Sequence, residues 1–143
     1  MEQFDVTPST DDTLPSAEEL AELYDAVGWT AYTQDMDALL QGIRNSLHVV
    51  AARREGRLLG LARIVGDGFT ICYLQDVLVH PDAQGIGVGR ALVTAAFAPF
   101  SHVRQHVLIT DEEAGQKAFY ESLGFTQLGT DIPGRAFVRF SHR

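Results

Sequence analysis

Apolar residues recur along this chain first at helical spacing and then at strand spacing. Phe4 and Val6, set among polar residues, predict a short opening strand, and the turn-rich stretch 7–15 follows it. Ser16 with Glu19 three positions later reads as a capping box. Behind it Leu20, Leu23, Tyr24 and Val27 form the stripe of a first amphipathic helix, with Gly28 as its stop. Met36, Leu39, Leu40 and Ile43 repeat the pattern in a second helix, with Asp35 as its N-cap.

From Leu47 the period shortens. Residues 49–52 and 58–65 are apolar runs around Glu55-Gly56-Arg57, the pattern of a hairpin. Gly66-Asp67-Gly68 marks another turn, and 71–79 reads as a central strand, apolar on nearly both faces. A glycine cluster (Gly85, Gly87, Gly89) leads into a helix carrying Val88, Leu92, Ala95 and Ala96, which Pro99 ends. A strand over 103–110, a helix over 114–123 stopped by Gly124, and two last strands at 125–128 and 136–140 complete the prediction. The order β-α-α-β-β-β-α-β-α-β-β implies an α/β (α+β) fold. It is a mixed sheet, antiparallel early, with a β-α-β crossover late.

Composition narrows the function. The chain has 143 residues, fitting one domain over 1–143, and its 45% hydrophobic and 21% charged residues suit a packed interior rather than disorder. A net charge of −8 disfavours nucleic acid as a partner, while remaining compatible with cationic substrates such as amines. No apolar stretch approaches the ~20 residues of a membrane helix. The lone Cys72 cannot form an intrachain disulfide, and Met1-Glu2-Gln3-Phe4-Asp5 lacks a secretion-signal pattern, so a cytoplasmic location is expected.

The sharpest chemical signal is Gln84-Gly85-Ile86-Gly87-Val88-Gly89-Arg90, between a strand and a helix. Glycines allow positive φ and close approach of a ligand, and a helix start offers unpaired N–H groups to an anion. Arg90 adds a positive charge in the first turn. No Gly-Lys-Ser/Thr follows, which excludes a P-loop, and the third glycine comes one residue early for a dinucleotide-binding turn. A tight turn without ligand is the alternative reading of the glycines.

Gln84-x-x-Gly87-x-Gly89, following Asp76-Val77-Leu78-Val79-His80-Pro81, resembles the signature of the GNAT superfamily of N-acetyltransferases. Ala118-Phe119-Tyr120-Glu121-Ser122-Leu123-Gly124-Phe125 is similar to that family's second motif, about 30 residues further on, and the resemblance is strong over roughly 47–128. It implies a single-domain, mostly antiparallel sheet with a splayed parallel strand pair, flanked by about four helices. Acetyl-CoA would lie in the splay. By resemblance, the backbone of Val77, Leu78 and Val79 would meet the pantetheine arm and acetyl carbonyl. Gln84, Gly85, Gly87, Val88, Gly89 and Arg90 would wrap the pyrophosphate, and Tyr120 would sit near the sulfur.

The implied reaction is attack of an amine on a thioester, which needs a base, an oxyanion donor and an acid for the leaving thiolate. A backbone N–H near Leu78 is the expected donor. Tyr120 is either that acid or a packing aromatic beside Phe119. Gln75-Asp76 stands where many family members carry Glu-Asp, and Gln75 cannot take a proton. Asp76 is either the base, directly or through a water, or a residue that pairs with an arginine or caps the end of the strand. His80 either helps with the proton or shapes the turn before Pro81. If neither acts, water-relayed proton loss with positioning alone is the remaining route. Because neighbours in a regular strand face opposite ways, only one of Gln75 and Asp76 is expected to face the cleft. Trp29 and Tyr32, with Phe69 and Tyr73, are candidates for contact with the amine acceptor, or ordinary core residues. No metal is expected: His102 and His106 lie on a strand, and His48 and His142 are isolated. The expectation is an acetyl-CoA-dependent N-acetyltransferase acting on a small or lysine-like primary amine, a possible homodimer without nucleic-acid or membrane partners. A catalytically idle acyl-CoA-binding module on the same fold is the alternative.

Overall fold

The computed structural model describes residues 4–141, which divide into two compact units, Met1–Ile109 and Thr110–Arg143. His142 lies outside the described residues.

In the first unit five strands lie in chain order across one sheet: β1 (Asp5–Pro8), β2 (His48–Arg54), β3 (Arg57–Gly66), β4 (Ile71–Val79) and β5 (Gln105–Leu108). β1 to β4 pair antiparallel, while β4 and β5 pair parallel. Helices α1 (Ala17–Ala26), α2 (Thr30–Thr33) and α3 (Met36–Arg44) precede β2. The capping box forms as expected, with Glu19 N–H donating to Ser16 Oγ at 3.1 Å and Ser16 N–H to Glu19 Oε1 at 3.0 Å. Asp35 caps α3 through the Ala38 N–H. The one-turn α2 was expected as loop, because four residues are too few to show a period.

Leu20, Leu23 and Tyr24 of α1 and Leu39 and Ile43 of α3 pack on Val49, Ala51, Leu61 and Leu78 of the sheet. Helix α4 (Val88–Phe97) carries β4 over to β5. Its seat is made by Gly60 on β3, where an added Cβ would lie 2.7 Å from the Leu78 carbonyl oxygen and 2.8 Å from Leu92 Cδ1. Pro99 falls in a 3-10 turn, Ala98–Phe100, that ends α4.

Two features of β4 shape the site. Arg63 pairs with Asp76 but Ile64 pairs with Leu74, so Gln75 is an extra residue, a bulge opposite β3. The parallel pairing with β5 stops at Leu74–Leu108, while β4 runs on to Val79. Residues 75–79 therefore lack a strand on that side among the described residues.

The second unit holds α5 (Gln116–Ser122). Gly124 ends it at φ +96°, and the Phe125 N–H returns to the Tyr120 carbonyl at 3.1 Å. Tyr120 is buried beside Phe119 and Phe125, edge to face at 4.9 and 6.1 Å. The two strands expected at 125–128 and 136–140 do not form. A single isolated bridge, Leu128–Ile132, stands in their place, and Phe137 remains 89% exposed. Alternation marks a segment able to pair, but a strand exists only when a partner supplies its hydrogen bonds. Likewise the strand expected over 103–110 shortens to Gln105–Leu108.

Candidate active site

The opening beside β4 is built by main chain. His80 N–H donates to the Leu59 carbonyl at 2.7 Å, so every second residue back from His80, Leu78 among them, turns its peptide groups toward β3. The peptide groups of Val77 and Val79 turn the other way, toward the side on which the pairing with β5 has ended at Leu108. Leu78's own N–H is thus turned into the β3–β4 ladder, and the N–H groups facing away from β3 are those of Val77 and Val79.

At the end of β4 the chain makes the 3-10 turn Pro81–Ala83, held by His80, whose Nδ1 accepts the Asp82 N–H at 3.1 Å. His80 is buried, and its Nε2 lies 3.0 Å from Glu22 Oε2 on α1. Both ring nitrogens are thus engaged in fixing the turn. Gly85 and Gly87 follow with φ of +83° and +93°; both are exposed, and a Cβ on either would meet nothing within 4 Å. Gly87 is the N-cap of α4 and provides no side-chain cap, so the N–H groups of Val88, Gly89 and Arg90 open the helix uncapped by it. Val88 is buried against Gly60, Gly89 is half-buried, and Gln84 and Arg90 are exposed. The glycine turn and the open edge of β4 thus lie at one end of one strand, with the positive pole of α4 beside them.

On the other side of the bulge sits a polar network. Asp76 is buried, and its Oδ2 accepts Arg63 Nε at 2.6 Å and the Tyr24 hydroxyl at 2.9 Å, while Oδ1 accepts the Tyr32 hydroxyl at 3.0 Å. Gln75 Nε2 donates to that same Tyr32 oxygen at 3.1 Å. Both Gln75 and Asp76 therefore face the α1–α3 side, against the expectation that only one could. The bulge puts two successive side chains on one face. Arg63 also reaches Ser46 Oγ at 3.3 Å, and a Cβ on Gly42 would touch its Nη1 at 3.3 Å.

Burial, then the Asp76 carboxylate, raises the phenol pKa of Tyr24 and of Tyr32 above the ordinary value. Burial works against the Arg63 charge, but Asp76 outweighs it and the guanidinium pKa is raised. Tyr73, half-buried on β4, is raised by burial and then by Asp76. Tyr24, Trp29 and Tyr32 form an aromatic cluster with centroids 5.2–6.2 Å apart, and Trp29 remains 39% exposed. Tyr32 thus joins Gln75 to Asp76, and Trp29 lies against the rings of Tyr24 and Tyr32. Phe69 does not join them: it stands 80% exposed in a turn whose N–H groups are bound by Asp67.

Tyr24 and Arg63 belong to this network without having been singled out from sequence. Tyr24 occupies a core position of the α1 stripe, and Arg63 interrupts the apolar run of β3. A charged residue within such a run is the one signal that could have marked it. Among the described residues no group of three His, Cys, Asp or Glu side chains could hold a metal. His106 stacks on Phe97 at 4.8 Å and its Nε2 lies 2.9 Å from the Phe100 carbonyl, while His48 lies edge-on to Phe100. Nor is any described helix long and apolar enough to cross a membrane.

The acetyltransferase (GNAT) domain profile matches residues 45–127. The chain belongs to the GNAT family of acetyltransferases. It is similar to a GNAT-family acetyltransferase from Streptococcus pneumoniae TIGR4, 32% identical, with a TM-score of 0.81 over 96% of this chain and 98% of that one. It is 26% identical over 120 residues to the uncharacterized N-acetyltransferase ycf52 of Pyropia yezoensis, across 81% of this chain and 68% of that protein. Aminoglycoside N-acetyltransferase AAC(6')-Iy in complex with CoA shares the fold, with a TM-score of 0.71 at 17% identity over 98% of this chain and 96% of that one. The GNAT fold is thus present with its mixed sheet and parallel strand pair. Among the described residues the chain forms five α-helices where about four were expected, α2 being the addition.

Proposed function

We propose that the whole chain, 1–143, works as one acetyl-CoA-dependent N-acetyltransferase acting on a small or lysine-like primary amine in the cytoplasm. The observation that carries this is the alignment of the unpaired Val77–Val79 edge with the open glycine turn at the head of α4. Donors on that edge suit a carbonyl arm, and a helix N-terminus behind exposed glycines suits a diphosphate. The CoA complex of the aminoglycoside enzyme with this fold supports the same ligand. Gln84, Gly85, Gly87, Val88, Gly89 and Arg90 would bind the pyrophosphate, and Val77 and Val79 would supply N–H groups to the oxyanion, with Leu78 positioning them.

The amine nitrogen attacks the thioester carbon, the C–N bond forms, and the C–S bond breaks with its electron pair going to sulfur. By the family resemblance, Tyr120 would give that sulfur its proton. Burial, then the Asp111 charge, raises its phenol pKa, so it stays a neutral phenol and a weaker acid than an exposed one. The nitrogen's surplus proton leaves to water, which reprotonates Tyr120. Trp29, Tyr32, Tyr73 and Gln75 would contact the acceptor.

Titration calorimetry with coenzyme A, followed by thiol release from acetyl-CoA with a panel of primary amines, tests this. Saturable binding with amine-dependent release is expected. Binding without turnover points to the idle module, and no binding removes the proposal.

A further inference from the structure

We infer that Asp76 is a positioning residue rather than the base, and that Tyr32 Oη and Gln75 Oε1 receive the acceptor nitrogen as neutral hydrogen-bond acceptors. These roles rest on the acetyltransferase reading of the same site.

Three donors already hold Asp76, two of them on Oδ2 and one on Oδ1, and its side chain is 1% exposed. Taking a proton from an amine would mean surrendering the Arg63 ion pair in a buried site, which is the costliest place to uncouple two charges. The groups facing Asp76 are Arg63 from β3, Tyr24 from α1, Tyr32 from α2 and Tyr73 along β4. None supplies a second carboxylate.

What reaches outward is uncharged. Tyr32 gives its only proton to Asp76 and accepts one bond from Gln75 Nε2, which leaves its oxygen one further accepting position. The same Gln75 bond fixes the amide so that its carbonyl oxygen, on an exposed side chain, is the second acceptor. An amine held between them keeps its lone pair for the thioester only if it arrives neutral. Both acceptors gain strength as positive charge builds on nitrogen during attack. The substrate class is therefore an amine able to lose its proton to water before it binds.

The test is the pH dependence of kcat/KM, measured with two primary amines whose own pKa values differ by about two units. The rise should run tenfold per pH unit up to the pKa of whichever amine is used, and move with it. A rise that ends at one fixed, lower pH for both amines overturns the inference and makes a protein group the base. Wild-type enzyme alone decides this point, so the test survives if Asp76→Asn fails to fold. Tyr32→Phe should lower kcat/KM for the amine about tenfold and leave coenzyme A affinity unchanged; a change below about twofold overturns the role of Tyr32. Gln75→Glu should add an amine-independent inflection and raise kcat/KM below the amine's pKa, and its absence overturns the placement of residue 75 at the nitrogen. Absence of coenzyme A binding or of all turnover would instead remove the acetyltransferase reading itself.

Discussion

Gln75 and Asp76 are neighbours on one strand, yet both reach the Tyr32 hydroxyl, one donating to it at 3.1 Å and the other accepting from it at 3.0 Å. A regular strand cannot do this. The bulge between the Arg63 and Ile64 registers makes it possible, and joins α2 to β4 at a place where α2 has only one turn of its own.

The Arg63–Asp76 pair is buried on both sides, at 8% and 1% side-chain exposure. Arg63→Met leaves the carboxylate with only phenol donors and should cost about 3–5 kcal/mol. Urea unfolding followed by circular dichroism measures it; a loss under about 1 kcal/mol would mean that the two tyrosines suffice.

Gly60→Ala tests the seat of α4. Its Cβ would press on the Leu78 carbonyl and on Leu92 Cδ1, and the carbonyl belongs to main chain that cannot swing aside. A destabilisation of about 1–3 kcal/mol is expected. Combining it with Leu92→Ala should relieve only the Leu92 part of the clash.

Gly87→Ala separates conformation from space, since nothing lies within 4 Å of the added Cβ but φ stays at +93°. The left-handed region should cost about 1 kcal/mol in stability. Loosening of the turn should weaken coenzyme A binding about tenfold, a loss of about 1.4 kcal/mol. Calorimetry on the folded variant reads that loss directly.

Tyr120→Phe keeps the edge-to-face packing with Phe119 and Phe125 and deletes only the hydroxyl. Turnover should fall by about 10²-fold while acetyl-CoA affinity stays within twofold of wild type, roughly the scatter of such comparisons. Unchanged turnover takes Tyr120 out of the mechanism.

The Arg53 hydrogen bond, followed by the Ser16 cap, holds the Glu19 pKa at about 2, against 4.5 ordinarily. The unfolded chain therefore binds this proton first as pH falls. The stabilisation is complete above pH 4.5 and disappears toward pH 2. Glu19 is a third exposed, so solvent screening keeps the contribution to about 0.5–1 kcal/mol. Glu19→Gln should flatten the acid limb of thermal stability over that window, and an unaltered limb would assign it to other carboxylates.

Much of the fold was legible in residue patterns because each pattern has a local cause. The capping box at Ser16 and Glu19, the α1 and α3 stripes and the hairpin at Glu55-Gly56 are decided within a few residues, and all form. The glycine turn belongs with them: positive φ at Gly85 and Gly87 is a property of glycine itself.

Tertiary structure decided what depends on partners distant in sequence. Whether 136–140 becomes a strand depends on an edge to pair with, so its alternation alone did not make one. The ladder phase that turns Val77 and Val79, rather than Leu78, toward the side where the β5 pairing has ended comes from β3. Asp76 meets Arg63, Tyr24 and Tyr32 across 13, 52 and 44 positions, so no local spacing could show that its charge was already taken. Backbone preferences act over a few residues and can be read along the chain. Burial and charge pairing arise only when distant segments pack, and they gave this carboxylate its partners.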